Sequence, residues 1–156
     1  MKTLRLKSGA EVLVDDEDFD FVSQYSWHVS HNGYAIRRAV EPSGRKRVIY
    51  MHKELMTPSP GHEIDHADMN KLNNCRSNLR EASRTMNNAN HRPREGCSSK
   101  FKGVAWHKNY KRWWSYINKN GKRLSLGYFY DEVEAAKAYN AAAQLLFGEF
   151  ARPNVI

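Results

Sequence analysis

Asp65 and His66 stand side by side in this chain of 156 residues, within a polar stretch over 61–91, GHEIDHADMNKLNNCRSNLREASRTMNNANH. Residues of these types suit one chemistry. A carboxylate binds a hard divalent cation through oxygen. An imidazole beside it takes a proton from water near neutral pH. A side-chain amide adds an oxygen ligand or orients the imidazole. Water activated next to a cation is a route to phosphodiester cleavage.

Such a site needs a rigid element under the Asp-His pair and a second element that returns further groups to it. Residues 63–66 read as a short strand, 67–77 as a polar loop and 79–81 as a second strand. Ser83 is placed to cap a helix that runs to about Asn90. Asn87 and His91 fall four apart, the spacing of one helical face. His62, Asp68, Asn73, Asn74 and Asn88 also carry suitable groups, but in polar loops residues of these types are ordinarily turn formers.

The stretch resembles the HNH nuclease family, whose site is a ββα unit around one metal. In that unit the first strand ends in a catalytic His, a central Asn follows, and the helix brings back a metal ligand. The matching residues are Asp65-His66, Asn78 in RSNLR and Asn87 in TMNNAN, as in the branch found in phage homing endonucleases. The resemblance implies His66 as general base, Asn78 as the group that orients its imidazole, and Asp65 with Asn87 as ligands of one Mg²⁺, Mn²⁺ being the alternative. Asn87 stands where many members carry His. Its oxygen is the harder donor and favours magnesium or manganese over zinc. His91, one turn on, is then a substitute or third ligand.

Composition narrows the setting. The net charge of +8 calls for a polyanionic partner. The excess sits at the end of the chain: in 97–156 ten Lys and Arg face four Asp and Glu. Cys75 and Cys97 are too few and too far apart for a disulfide framework or a Cys-rich zinc site, so no structural zinc is expected. No apolar run has the length of a membrane span and no signal-peptide core opens the chain. The expectation is a cytoplasmic protein, in the host cell if phage-encoded, with no small-molecule cofactor.

Ahead of the Asp-His pair, residues 1–14 alternate weakly about Ser8-Gly9 and predict a hairpin. The acidic run Asp15, Asp16, Glu17, Asp18 precedes Phe19, Phe21 and Val22 and reads as a helix start. A second hairpin is expected over 27–40 across His31-Asn32-Gly33. Arg37, Arg38, Arg45, Lys46 and Arg47 make its surroundings basic, and Arg37 and Arg38 are candidate phosphate contacts. His52 reads as structural, close to the site at most. Thr57-Pro58-Ser59-Pro60 ends this region. Behind the pair, HRPREGCSS reads as a linker.

Residues 98–154 have their own pattern. Strands are expected over 102–107, 113–118 and 123–126, the last two joined at Asn120-Gly121, and a helix over 131–147 with Asp131 and Glu134 as a capping box. Alternation puts Trp113, Ile117, Leu124 and Leu126 on the side that the helix covers. It puts Trp114, Tyr116, Asn118, Arg123 and Ser125 on the other, a candidate binding face. The segment resembles the plant ethylene-response-factor (apetala-type) DNA-binding domain. The matching pieces are KFKGV at 100–104, Trp113 with Ile117, LGYF at 126–129 and EAAKAYN at 134–140. In that family the sheet lies in the groove, and its contact positions fall here on Lys102, His107, Tyr116, Asn118, Arg123 and Ser125. Several differ from the plant residues, so the plant target sequence does not transfer.

The expected fold is α+β. It has an N-terminal β-hairpin region (1–60), a ββα-metal nuclease module (61–91), a linker (92–97) and a C-terminal three-stranded antiparallel sheet packed on one helix (98–156). The resemblances together imply a metal-dependent, sequence-guided endonuclease of the homing type acting on double-stranded DNA. One site per chain implies nicking, with monomer or dimer left open. The competing reading is a non-cutting DNA-binding regulator that keeps a degenerate nuclease module.

Overall fold

A computed structural model of the chain describes residues 1–91 and 96–156. Within the expected linker, 92–95 lie outside the described residues, Arg92 and Arg94 among them. The chain divides into two compact units, Met1–Ala82 and Ser83–Ile156. Both are built of small antiparallel sheets and short helices. No helix among the described residues is long and apolar enough to cross a membrane.

In the first unit, β1 (Lys2–Arg5) and β2 (Glu11–Val14) form the expected hairpin, with Leu4 opposite Val12. The acidic run opens α1 (Asp16–Ser23), putting Asp16, Glu17 and Asp18 in its first turn, where carboxylates meet the positive end of the helix dipole. A three-stranded antiparallel sheet comes next: β3 (His28–Val29), β4 (Ala35–Val40) and β5 (Lys46–Tyr50). β5 runs directly into α2 (Met51–Leu55), which stops short of Pro58. Beyond it, β6 (His62–His66) and β7 (Leu79–Ser83) make a two-stranded sheet.

One buried cluster holds this unit together, with Val12, Val22, Trp27, Met51, Ile64 and Leu79 among its members. The cluster draws on the first hairpin, α1, α2 and the β6–β7 pair. Residues on both sides of position 60 therefore share a core.

The second unit opens with α3 (Arg84–Asn90), capped by Ser83, whose Oγ accepts from the Met86 N–H at 3.3 Å. The helix is shorter than the four-residue spacing of Asn87 and His91 requires. His91 is the C-cap with ψ 151, already extended, so the two residues do not share a helical face.

β8 (Val104–His107), β9 (Arg112–Lys119) and β10 (Lys122–Phe129) form the expected antiparallel sheet, in the order β10-β9-β8. The β9–β10 turn has Asn120 at φ 51 and Gly121 at φ 75, the left-handed pair of a type I′ hairpin. α4 (Glu132–Phe147) starts at Asp131, whose side chain accepts from the N–H groups of Val133 at 2.8 Å and Glu134 at 3.0 Å. Ile117, Tyr139, Ala143 and Phe147 pack between sheet and helix. Gly103, at φ +73, brings the backbone so close to this helix that a Cβ would overlap the Tyr139 ring.

One detail departs from simple alternation. The β9–β10 register shifts between Ser125 and Gly127, a bulge that reverses the facing of the residues beyond it. Tyr128 thereby falls opposite Trp114. Leu124, expected beneath the helix, is 43% exposed.

Candidate active site

β6 carries the Asp-His pair from the core outward. Ile64 is buried in the hydrophobic cluster, and Asp65 and His66 are buried after it. From β7, Arg80 donates to Oδ2 of Asp65 twice, from Nε at 3.0 Å and Nη2 at 2.9 Å. Arg80 thus places a positive charge on the carboxylate. A carboxylate offers about four lone-pair sites, and both of these bonds fall on Oδ2.

The His66 imidazole lies among rings, its centroid 5.2 Å from His52 and 5.9 Å from Tyr34. Burial is the main cause that lowers its pKa below the usual imidazole value, opposed by a hydrogen bond with Asn74. His52, also buried, is pushed down to about 3 by burial and by the neighbouring imidazole. Both rings are neutral at pH 7. Nε2 of His66 faces Oδ1 of Asn74 at 3.4 Å. With the amide oriented so, Nε2 carries the proton and Nδ1 the lone pair.

Asn74 itself is fully buried, and its Nδ2 has no partner among the described residues. The loop holds it by the backbone: its N–H donates to the Leu13 carbonyl at 2.8 Å, while the Leu13 N–H donates to Leu72 at 2.9 Å. The loop is therefore laid along β2. Arg76 fastens it to α1, donating to Asp15 through its backbone N–H at 2.7 Å and to Asp18 through Nε at 2.9 Å and Nη2 at 2.8 Å. The acidic run is thus a helix start and a loop anchor at once.

Asn78 occupies a different place from the one expected of it. Its side-chain amide accepts from the Asp68 N–H at 3.0 Å and donates to Asp68 Oδ1 at 2.9 Å and to the Asn73 carbonyl at 2.8 Å. These bonds close the loop on itself, and the amide that meets the imidazole is Asn74. Sequence reasoning set Asn74 aside as a turn former. Only its position next to β2 distinguishes it from Asn73 and Asn70.

Asn87 lies half-buried on α3, in the second unit. Among the described residues no group of three or more His, Cys, Asp or Glu side chains gathers as a metal site. A carboxylate from Asp65 and an amide oxygen from Asn87 are hard donors of the kind that magnesium and manganese take, so the donor chemistry fits such an ion.

The candidate DNA contacts separate into two groups. Arg37 is engaged internally: Nε and Nη2 bond both oxygens of Glu54, at 3.0 Å and 2.9 Å, and the guanidinium lies 4.0 Å from the Tyr25 ring centre. Arg38 points to the opposite face of β4 and is exposed. Lys102 is half-buried, its ammonium donating to backbone carbonyls of Asn88, Ala89 and His91.

His107, Trp114, Tyr116, Asn118, Arg123 and Ser125 do come together, on the sheet face away from α4. Trp114 Nε1 donates to Ser125 Oγ at 2.8 Å, and Arg123 lies 4.4 Å from the Tyr116 ring centre. Tyr110 and Tyr128 complete this face, Tyr110 stacked on His107 at 4.5 Å and Tyr128 edge-on to Tyr110 at 4.8 Å. Neither was legible as part of it, because the bulge and the β8–β9 turn place them there.

Comparison with known proteins bears on the first of these sites. An HNH endonuclease family profile matches residues 46–89, from the start of β5 into α3. An uncharacterised HNH endonuclease of Acanthamoeba polyphaga mimivirus is 36% identical over 151 residues, covering 95% of this chain and 76% of the viral protein. No solved structure matches. The profile encloses Asp65, His66, Asn78 and Asn87, and the viral likeness extends well beyond it on both sides: the chain belongs to the HNH endonuclease family.

Proposed function

We propose that the protein is a metal-dependent, sequence-guided DNA endonuclease of the homing type that nicks one strand. The observation that carries this reading is the His66 imidazole, neutral, set beside Asp65 at the end of β6, with Nε2 turned to Asn74. In this reading His66 takes a proton from the attacking water at Nδ1. Asn74 retains the Nε2 proton and keeps the lone pair at Nδ1. Asn78 acts at one remove, through the loop backbone that delivers Asn74. Asp65 and Asn87 would hold Mg²⁺ or Mn²⁺, and the ion when bound offsets charge on the phosphate and the leaving 3′ oxygen. The products carry 5′-phosphate and 3′-hydroxyl ends. A single site per chain cuts one strand, and a double-strand break would take a dimer or two binding events. Guidance falls to the open face of the β8–β10 sheet, which resembles the ethylene-response-factor domain and belongs to the most basic third of the chain. The viral relative supports a host-cell setting.

A second reading has an observation in its favour. Arg80 gives Asp65 a cation from within the chain, as a module that no longer cuts and serves a DNA-binding regulator would also do. A supercoiled-plasmid assay separates the two, run with Mg²⁺ and with EDTA on wild type and His66→Ala. Metal-dependent open circles with wild type alone establish the nickase. Direct linearisation keeps the chemistry and indicates paired sites. Intact supercoils on DNA shown to be bound establish the regulator.

A further inference from the structure

We propose that Lys102 is a positioning residue for cleavage: its ammonium fixes the C-terminal end of α3 and thereby the helix that presents Asn87. The inference rests on Asn87 as a ligand of the divalent ion. The last carbonyls of any helix lack intrahelical donors, and a lysine ammonium suits them by charge and by hydrogen bonding. Here Lys102 Nζ meets three carbonyls at the end of α3, His91 at 2.7 Å, Ala89, and Asn88 at 3.2 Å, the last of which also accepts from the His91 N–H at 3.3 Å. An ammonium has three protons, so its donors are matched.

The base of this side chain is held as firmly as its tip. The Lys102 N–H donates to Asn154 Oδ1 at 2.7 Å and its carbonyl accepts from Asn154 Nδ2 at 3.1 Å. Asn154 is doubly bonded in turn to Asn140 of α4, at 2.9 Å and 2.6 Å. A chain of hydrogen bonds therefore runs from α4 to the end of α3. At seven residues, α3 is too short to be stable alone, so its orientation comes from its attachments. Ala89, buried against Ile117, Tyr139, Ala143 and Phe147, is an apolar one, and Lys102 is a polar one that holds its C-terminal end, as the bond from Thr85 Oγ1 to Asn120 Oδ1 at 3.3 Å holds its first turn. Burial lowers the Lys102 pKa to about 8, in keeping with an ammonium enclosed by protein. A lysine so placed does not serve as the phosphate contact that the resemblance to the plant domain implies.

The test uses the full chain as Lys102→Met, which keeps the volume and removes the donors, and Lys102→Arg, which keeps the charge. DNA affinity is measured in EDTA across salt, and single-turnover cleavage at saturating DNA across Mg²⁺. Lys102→Met is expected to cut about tenfold slower or worse, because a displaced ligand misaligns the site, and to need more Mg²⁺. Its DNA affinity and salt dependence stay at the wild-type level, and Lys102→Arg recovers part of the rate. Weakened DNA affinity with a shallower salt slope and an unchanged saturated rate would overturn the proposal in favour of a phosphate contact. If Lys102→Met does not fold, Lys102→Arg decides by the same split between rate and affinity. Asn87→Ala runs alongside. Wild-type cleavage in that variant removes the ligand reading and this inference with it, whereas a dead Asn87→Ala beside a normal Lys102→Met removes the inference alone.

Discussion

His66 and His52 are two imidazoles in contact, and their burial governs how the protein responds to acid. A base whose pKa is lowered stays unprotonated further into the acid range, so cleavage should hold level through neutral pH and fall only below the usual imidazole value near 6.5. A pH–rate profile at saturating Mg²⁺ checks this. Stability depends on His52. Its folded pKa of about 3 lies below the unfolded value of 6.5, so between those limits the unfolded chain binds the extra proton. Stability is complete above the unfolded pKa and falls as pH drops, by up to about 1.4 kcal/mol per unit for one proton. His52→Phe should flatten that slope in denaturant titrations between pH 6.5 and 4. The loop suggests two further variants. Asn78→Ala removes the amide that satisfies Asp68 and Asn73 and should cost about 1–3 kcal/mol. Asn74→Ala should lower the cleavage rate at saturating DNA more than it lowers stability. Asp65 and His66 were legible because they are adjacent in the chain. Asn74 was not, because it is singled out by a backbone clamp to Leu13 and a salt bridge from Arg76 to Asp18, both far away in sequence.

At the scale of elements, the parts read correctly from sequence are those with local causes. Ser83 and Asp131 cap helices through their own side chains, and Asn120-Gly121 turns a hairpin through its own φ values. The parts that escaped depend on partners elsewhere. Arg37 and Arg38 are neighbours of the same type, yet Glu54 and Tyr25 claim one of them and leave the other exposed. Arg37→Gln should therefore lower stability by about 1–3 kcal/mol. Arg38→Gln should leave stability alone and, if Arg38 meets a phosphate, reduce the salt slope of DNA binding by about one. The bulge in β10 is similarly invisible to a strict two-residue period, and it brings Tyr128 round to the aromatic face. Gly103 is a separate case, legible only as a matching residue of the plant-domain pattern. Gly103→Ala must resolve an overlap with Tyr139 at positive φ, and a loss of about 2 kcal/mol or more is expected in thermal or denaturant unfolding.

For the whole molecule, charge and attachment matter more than any single contact. Ten Lys and Arg against four Asp and Glu in 97–156 predict binding that weakens steeply with salt, measurable by titration on one duplex at several ionic strengths. The division after Ala82 puts α3 in the same compact unit as the β8–β10 sheet, although the nuclease resemblance in the sequence groups α3 with β6 and β7. Lys102 and Ala89 fasten that helix to the sheet and to α4. Loosening the β8–β10 sheet should therefore loosen α3 with it, and hydrogen exchange should show the amide protons of both becoming exposed together.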